Sequence, residues 1–253
     1  MSQTLRHPEI LDLARRDGTV TVDGLARHFD VTLQTIRRDL RDLTRAGKLE
    51  RVHGGAILPS GTRNIGYDHR QAMNAGAKAR IARACAARIP NDCAVFLNIG
   101  TTTEAVARAL LHHTGLMAFT NNLNVANILA ANPDCEVIVT GGTLRRADGG
   151  LVGTLAAASI ARFKFDHAVI GCSALDRDGD LRDFDILEVG VSQSIITRAD
   201  HVHLVADQSK FARKAPACIA SVATVGTFFT DRPPPPDFQQ HCEGWDTEIV
   251  IAD

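Results

Sequence analysis

The stretch Val31-Thr-Leu-Gln-Thr-Ile-Arg-Arg-Asp-Leu-Arg-Asp-Leu43 decides the fold of the first part of this chain. Thr32 is placed to cap a helix, because its hydroxyl can accept a backbone N–H of the first turn. Residues at helical spacing predict one apolar stripe: Leu33, Ile36, Leu40 and Leu43. The opposite side carries Gln34, Arg38, Arg41 and Arg45. Their amide and guanidinium donors match base edges and phosphates, so the stretch predicts a helix that enters a DNA groove.

Alone, this helix would fit a solvated surface helix equally well, but its flanks favour DNA binding. Apolar residues over 6–16 predict a first helix, and Thr21 is placed to cap a second. Only Asp30-Val31 separates the second helix from the third, so the two must cross sharply, as in a helix-turn-helix. Segments 49–52 and 56–58, joined by a glycine turn, predict a β-hairpin, or wing. Residues 1–58 are therefore predicted to form a winged helix-turn-helix domain.

The charge distribution agrees with DNA binding at one end of the chain. Residues 1–58 hold ten Lys/Arg and eight Asp/Glu, a balance of +2. The whole chain has 28 basic and 29 acidic residues, so the remainder carries −3. A basic head on an acidic body suits phosphate contact by the head. Because the excess is small, we expect a homodimer or homotetramer that reads repeated half-sites.

Composition narrows the remaining classes. At 253 residues the chain has room for one small and one larger domain. No apolar run approaches the roughly 20 residues needed to cross a bilayer, and the amino end lacks a secretory segment. The six cysteines show no Cys-x-x-Cys pairing, which predicts reduced thiols in a cytoplasmic protein. The histidines fit surface or packing roles, so we expect no bound metal. We also expect no cofactor and no association with a membrane.

The larger domain is predicted to begin at residue 75, after a linker over 59–74 whose start is rich in Pro, Gly and Ser. Beyond it, short apolar runs predict strands over 94–99, 117–120, 136–140, 167–171, 202–206 and 227–230. Helical patterns precede or separate them, over 75–88, 104–111, 125–131 and 189–198. This alternation predicts an α/β domain, residues 75–253, with a mainly parallel sheet and right-handed crossovers.

Ligands in such domains bind outside the carboxyl ends of the strands, where this chain places unusual loops. Asn98-Ile-Gly-Thr-Thr-Thr-Glu104 follows the first strand and opens a helix. Backbone N–H groups and threonine hydroxyls at a helix N-terminus can surround an anion. A well-capped helix without a ligand is the alternative for this loop alone. Similar polar loops after the next two strands favour a ligand site, with these candidates: Asn98, Gly100, Thr101, Thr102, Thr103, Asn121, Asn122, Gly141 and Gly142.

Charged residues further along the chain complete the candidate site. Lys210, in Asp207-Gln-Ser-Lys210, is predicted to hold a phosphate by charge-assisted hydrogen bonds, the alternative being a surface lysine. An acidic segment spans residues 176–188. From it, Asp176 and Glu188 are candidates to accept hydrogen bonds from ligand hydroxyls, and we expect most of the other carboxylates to be solvated.

The first domain resembles the winged helix-turn-helix of the DeoR family of bacterial transcriptional regulators. The resemblance lies in Thr35-Ile-Arg-Arg-Asp-Leu40 and His53-Gly-Gly-Ala56. It implies base or phosphate contacts by Gln34, Thr35, Arg37 and Arg38, and it places Arg51 and His53 on the wing. With the cap and helix residues, the candidate contacts to operator double-stranded DNA are Thr32, Gln34, Thr35, Arg37, Arg38, Arg41, Arg51 and His53.

Residues 76–232 resemble the effector domain of the same family, in Gly-Thr-Thr-Thr, Thr-Asn-Asn, Gly-Gly-Thr-Leu and Asp-Gln-Ser-Lys-Phe. The resemblance implies a ribose-5-phosphate-isomerase-like fold and a phosphorylated sugar or polyol as effector. Within the family, the stretches 34–40, 120–127, 148–150 and 231–236 favour glycerol 3-phosphate. The resemblance also favours a repressor over an activator. This chain departs from it twice, with Asn98 where the family usually has Asp and Ser192 where it usually has a basic residue.

An enzyme is the rival class. An isomerase-like domain could use Asp176, Asp183 or Glu188 as a general base. However, the lysine and glycine run that the isomerases carry near their acids is missing here. We therefore assign no catalytic residue and expect a regulator.

Overall fold

The amino-terminal unit combines helices with three short strands. The computed structural model describes residues 3–17, 19–46, 48–52, 54–57 and 66–253, and divides the chain into residues 1–73 and 74–253. The first unit contains α1 Gln3–Asp17, β1 Thr19–Thr21, α2 Val22–Phe29, α3 Leu33–Arg45, β2 Glu50–Val52, β3 Gly55–Ile57 and α4 Tyr67–Ala72.

Both predicted helix caps are confirmed. The Thr21 hydroxyl accepts the Gly24 N–H at 3.0 Å, and the Thr32 hydroxyl accepts the Thr35 N–H at 3.2 Å. Between α2 and α3, Asp30 adopts a left-handed conformation with φ of 50°, which turns the chain sharply. This geometry is the predicted helix-turn-helix.

The wing is a three-stranded antiparallel sheet in the order β1-β3-β2. Gly55 lets two strands approach closely, because a Cβ there would overlap the Val20 carbonyl. His53, at the predicted turn, lies outside the described residues. The predicted linker over 59–74 contains α4 in its second half, and its residues 59–65 are also outside the described residues.

The apolar stripe of α3 is buried except at its first residue. Ile36, Leu40 and Leu43 pack in the hydrophobic core of the amino-terminal unit, but Leu33 is 41% exposed. Leu33 lies outside this core, because the contact of α3 with the core begins at Ile36, one turn later. Asp39 is buried instead, at 1% exposure.

The second unit is an α/β domain. Its helices are α5 Ala75–Ala86, α6 Thr101–Ala109, α7 Leu123–Leu129, α8 Thr154–Ile160, α9 Ile186–Ile196 and α10 Pro236–Gly244. Its strands are β4 Ala94–Leu97, β5 Leu116–Thr120, β6 Cys135–Val139, β7 Thr143–Arg145, β8 Gly150–Val152, β9 Phe165–Ile170, β10 Ala174–Leu175, β11 Asp180–Asp183, β12 Ala199–Val205, β13 Ala217–Ser221, β14 Thr227–Thr230 and β15 Glu248–Ile251.

Seven of these strands form a parallel sheet in the order β15-β14-β12-β9-β4-β5-β6. This confirms the predicted fold class and all six predicted strands. The sheet is covered on both faces: in β4, Val95 and Leu97 belong to one core cluster and Phe96 to the other. A second sheet, β10-β11-β13, and the hairpin β7-β8 are antiparallel.

The order of the strands locates a topological switch point in the sheet. From β4 the chain proceeds to β5 and β6 on one side, whereas from β9 it proceeds to β12, β14 and β15 on the other. The direction therefore reverses between β4 and β9. In open α/β sheets, ligands bind beyond the carboxyl ends of the strands at such a switch point.

Two further sequence expectations concern the membrane and the cysteines. Among the described helices, none has the length and apolar character to cross a bilayer. All six cysteines are free thiols, and four of them are buried: Cys85, Cys93, Cys172 and Cys242.

Candidate DNA-binding surface and effector site

The outer face of α3 is rich in guanidinium groups. Four predicted DNA contacts on this helix are exposed: Gln34, Arg37, Arg38 and Arg41. Arg45, one turn further on, is exposed as well. Arginine can pair with guanine in two hydrogen bonds or bind phosphate, so the face has the chemistry of a recognition helix.

The other predicted DNA contacts lie at the start of α3 and on the wing. The hydroxyls of Thr32 and Thr35 are 2.9 Å apart, and Thr32 is committed to the helix cap. Thr35 is half-buried, whereas Arg51 is exposed on β2. Arg51 therefore lies on the wing, as predicted, where DNA could reach it. The two threonines instead stabilise the start of α3.

A buried ion pair keeps an acid away from this face. Arg6 of α1 donates to Asp39 of α3 through Nε at 2.7 Å and Nη2 at 3.2 Å. The two residues are 7% and 1% exposed, and His7 Nε2 lies 3.5 Å from the same carboxylate. Asp39 therefore fixes α3 against α1 and does not offset the positive charge of the exposed arginines.

The first predicted effector loop joins β4 to α6. Gly100 has φ of 150°, and an added Cβ would lie 3.2 Å from the Thr103 hydroxyl. That hydroxyl donates to the backbone oxygens of Asn98 at 2.7 Å and Gly100 at 2.6 Å. Thr103 therefore shapes the loop from within. Thr102 is buried and Thr101 is half-buried at the helix N-terminus.

The two departures from the family pattern contact each other. Asn98 Nδ2 donates to Ser192 Oγ at 2.9 Å, and both residues are 1% exposed. Asn98 Oδ1 also accepts the Ile99 N–H at 2.7 Å. A neutral hydrogen bond thus joins α9 to the switch point here, with neither a buried charge nor an unpaired amide.

The second loop, after β5, combines support with open hydrogen-bonding capacity. Asn122 caps α7 by accepting the Asn124 N–H at 2.9 Å, and its amide lies 3.4 Å from buried Glu104. Asn121 Nδ2 donates to the Leu151 carbonyl at 3.2 Å. Its buried Oδ1 has no hydrogen-bond partner among the described residues. Asn121 can therefore accept a hydrogen bond from a ligand hydroxyl.

The third loop, after β6, likewise contains a residue that supports the packing and a polar group that could bind a ligand. Gly142 has φ of 139°, and an added Cβ would lie 3.0 Å from that of Ala156, so Gly142 allows close packing. Gly141 is exposed. The buried Thr140 hydroxyl has no hydrogen-bond partner among the described residues, and the Thr140 N–H bonds the Thr120 carbonyl beside Asn121.

The carboxylate of Glu188 is held in an ion-pair network that the sequence did not reveal. Arg145 of β7 donates to Asp148 at 2.9 and 2.7 Å, to Asp185 at 2.7 Å and to Glu188 at 2.6 Å. Burial, followed by the charge of Asp183, raises the pKa of Glu188 to about 7 despite Arg145. The network fastens the β7-β8 hairpin to the start of α9.

Asp176 and Lys210 have different surroundings. The Asp176 carboxylate pairs with Arg182 at 2.7 Å in the hairpin β10-β11. Lys210 follows β12 in a short 3-10 turn, Gln208–Ala212, and is half-buried. Burial alone raises the pKa of Asp207, but the nearby charge of Lys210, hydrogen bonds from Ser209 and the charge of Lys78 lower it below its usual value.

Lys78 is a candidate that sequence reasoning missed. It lies on the first turn of α5 and is only 6% exposed. A signal was present in the pattern, since Lys78 is three residues before Ile81 and four before Ala82, both buried. It therefore occupies the core-facing side of the helix.

These features define a class of protein: a winged helix-turn-helix DNA-binding unit followed by an α/β ligand-sensing domain. Two family descriptions match the chain, a DeoR-like helix-turn-helix domain over residues 6–62 and a DeoR C-terminal sensor domain over residues 73–232. The chain belongs to the DeoR family.

Individual relatives agree with this assignment. The chain is 45% identical over 240 residues to the glycerol-3-phosphate regulon repressor of Escherichia coli (strain K12), covering 95% of each chain. Among solved structures it is similar to eIF2B beta of Chaetomium thermophilum, at 13% identity and a TM-score of 0.51, covering 90% of this chain and 85% of that chain. That likeness shows the fold alone. Ribose 5-phosphate isomerase A of Methanocaldococcus jannaschii matches at 12% identity with a TM-score of 0.41, covering 56% of each chain.

Proposed function

We propose that this protein is a transcriptional repressor that binds operator DNA through the exposed face of α3. The observation that carries the proposal is the arrangement of Arg37, Arg38 and Arg41 on a capped helix, where one of the two acids, Asp39, is paired with Arg6 inside the amino-terminal unit. A good bidentate contact from such a face contributes about 1–3 kcal/mol of base discrimination. The name of the Escherichia coli relative supports repression.

We further propose that a phosphorylated sugar or polyol, with glycerol 3-phosphate favoured, binds at the carboxyl ends of the strands near the switch point and releases the protein from DNA. The start of α6 and Lys210 supply donors for a phosphate. The open acceptor of Asn121 and the Thr140 hydroxyl suit the hydroxyls of a polyol. Glycerol 3-phosphate has both groups, and the name of the Escherichia coli relative points to the same compound.

Binding without turnover fits the carboxylates that an isomerase would need. Asp176 is paired with Arg182, and Glu188 with Arg145. Asp183 accepts the N–H groups of Phe184 at 2.6 Å and Asp185 at 3.1 Å. Each candidate base is therefore occupied in holding a loop or hairpin, and we assign no catalytic role to them.

The effector must prefer the DNA-free arrangement of the protein, since a ligand with equal affinity for both states shifts nothing. A coupling free energy of about 1–3 kcal/mol would weaken operator binding about 5- to 150-fold. We place the protein in the cytoplasm, as a homodimer or homotetramer that presents paired heads to repeated half-sites.

Two substitutions separate the two activities. A duplex selected by the wild-type protein from a random pool serves as operator, and its binding is followed by fluorescence anisotropy. We expect Arg38→Ala to weaken operator binding at least tenfold and to leave glycerol 3-phosphate affinity unchanged in calorimetry. Lys210→Ala should weaken glycerol 3-phosphate affinity at least tenfold and leave operator binding unchanged. Arg177→Ala, at an arginine whose side chain is 75% exposed in the second unit, is the matched control. Normal operator binding by Arg38→Ala would refute the assigned DNA face.

A further inference from the structure

The four most exposed large apolar side chains among the residues that the structure describes all lie on three elements of the sensor domain. They are Ile186 at 69% exposure, Leu155 at 66%, Leu187 at 51% and Leu144 at 48%. The first turn of α9 carries two of them, the first turn of α8 carries one, and β7 carries the fourth. Exposed apolar side chains are ordinary when scattered, but a contiguous group marks an interaction surface.

Contacts within the domain bring these three elements together. The helices α8 and α9 pack against each other and against β8, the strand that pairs with β7. Arg145 of β7 donates to Asp185, the residue that caps α9, at 2.7 Å. A Cβ added to Gly141 would lie 3.6 Å from Leu155 Cγ, so the loop that leads to β7 touches α8. The four side chains therefore form one surface, which we term the outer patch: Leu144, Leu155, Ile186 and Leu187.

The outer patch is not needed for the core of the domain. In α9, Asp185 caps the helix by accepting the Leu187 N–H at 2.9 Å, and contact with the core begins two residues later, at Val189. In α8, contact with the core begins at Ala156, directly after Leu155. The patch side chains thus project from first turns whose backbone is held by other residues. Polar substitutions there should leave the domain folded.

The border of the outer patch carries both signs of charge. Three carboxylates share the guanidinium of Arg145: Asp148, Asp185 and Glu188. Acid is therefore in excess, and the Asp185 side chain is still 30% exposed. Arg146, in the turn of the same hairpin, is exposed and makes no ion pair within the described part of the chain. A partner with one sign of charge would be repelled by part of this border, whereas a second copy offers an arginine to each acid and an acid to each arginine.

We propose that two copies of this chain associate through the outer patch about a two-fold axis, with Arg146 of each copy against the partner's Asp185. In such an isologous interface every contact occurs twice. A stable interface buries about 800 Å² on each partner, so the patch forms its apolar centre and the hairpin and helix starts form its rim. The inference rests on the proposed function, in which an oligomer presents paired DNA-binding units, and it assigns the surface that pairs them.

Sedimentation of the full chain over a range of concentrations tests this surface. We expect Ile186→Ser and Leu155→Ser, on different helices, each to raise the dissociation constant of the wild-type assembly at least about a hundredfold, because the interface loses the side chain twice. At concentrations where the wild type is fully assembled, the mass should fall by half. Ile251→Ser is the matched control, since Ile251 is 44% exposed on β15, outside the outer patch. Calorimetry with glycerol 3-phosphate should give wild-type affinity for all three variants, which shows that they are folded.

The charged border is tested by Arg146→Glu. We expect the dissociation constant of the assembly to rise at least about tenfold, because the change sets like charges against each other at two symmetric positions. Arg162→Glu is the matched control and should leave the dissociation constant unchanged, since Arg162 is exposed beyond the carboxyl end of α8.

Operator binding supplies a functional readout of the same surface. Ile186→Ser should bind the operator at least about tenfold more weakly, because its DNA-binding units no longer arrive as a pair. A duplex that holds one half-site should bind the variant and the wild type equally, since a single unit makes the same contacts in both. A change that damaged the DNA-binding unit itself would weaken both duplexes.

The outcomes separate this inference from the proposed function. A wild-type protein that stays monomeric, both free and on the operator, overturns the inference together with the proposed oligomer. A wild-type assembly whose dissociation constant is unchanged in Ile186→Ser or in Leu155→Ser overturns the outer patch alone, as does an equal loss of mass by Ile251→Ser. An unchanged dissociation constant of Arg146→Glu overturns the contact between Arg146 and the partner's Asp185.

Discussion

Replacing Asp39 by Asn should destabilise the DNA-binding unit far more than an ordinary change on the same helix. The substitution keeps the shape of the side chain and removes its charge. It removes the carboxylate charge that accepts two hydrogen bonds from the Arg6 guanidinium, at 2.7 and 3.2 Å, and Arg6 itself is only 7% exposed. Removing one member of a buried ion pair leaves an uncompensated charge in the interior and costs about 3–5 kcal/mol.

That cost is large for a unit of this size. Small domains are stable by only about 5–15 kcal/mol, and in a domain of 60–100 residues each kcal/mol corresponds to about 4–8 °C in Tm. We therefore expect the unfolding transition of the amino-terminal unit to fall by roughly 12 °C or more. The transition of the sensor domain, which shares no part of this ion pair, should stay in place.

Differential scanning calorimetry of the full chain, together with operator binding, measures both consequences. Asp42→Asn is the matched control, since it makes the same change on α3 at a half-buried position. Both variants add one unit of positive charge to the head, which by itself favours DNA. An Asp39→Asn protein that melts within 2 °C of the control and binds the operator as well or better would refute the structural role of this pair.

Three further predictions concern the sensor domain. Gly142→Ala should lower its unfolding free energy by about 1–3 kcal/mol, because a Cβ there adds strain at positive φ and lies 3.0 Å from that of Ala156; urea unfolding measures this. Burial, with the charges of His167 and other neighbours, lowers the pKa of His203 to about 4. The unfolding free energy should therefore fall as the pH drops from about 6.5 to 4, and His203→Gln should reduce that fall in urea unfolding at several pH values. Because the pKa of Glu188 is raised to about 7, its contribution should be present below pH 4.5 and lost as the pH rises through 7, a dependence that Glu188→Gln should flatten in the same experiment.

The fold was predictable where periodicity and local chemistry point to the same structure. Thr21 and Thr32 mark their helices through hydroxyls that satisfy local N–H groups. The apolar run that forms β4 is covered on both faces of the sheet and so lacks the alternation of exposed strands. By contrast, β15 and the hairpin β7-β8 were not predicted. The strand β15 follows α10 closely and begins with polar Glu248, and the two strands of the hairpin are too short to show a pattern.

The candidate site was predictable as a location but not in its contacts. The loops after β4, β5 and β6 follow from the rule that parallel strands bring their carboxyl ends to one edge. The pairing of Arg145 with Glu188 spans 43 residues, and that of Asn74 with Asp207 spans 133. Such pairs depend on the tertiary fold, which a single sequence does not specify at the level of side chains.

The central claim is that a phosphorylated polyol bound in the sensor domain lowers the affinity of the DNA-binding unit for its operator. The most direct measurement is operator affinity, by fluorescence anisotropy, as glycerol 3-phosphate is added up to millimolar concentration, with glycerol as the control that lacks the phosphate. The account predicts that glycerol 3-phosphate weakens binding about 5- to 150-fold and that glycerol has no effect. An operator affinity that stays constant throughout the glycerol 3-phosphate titration would contradict it.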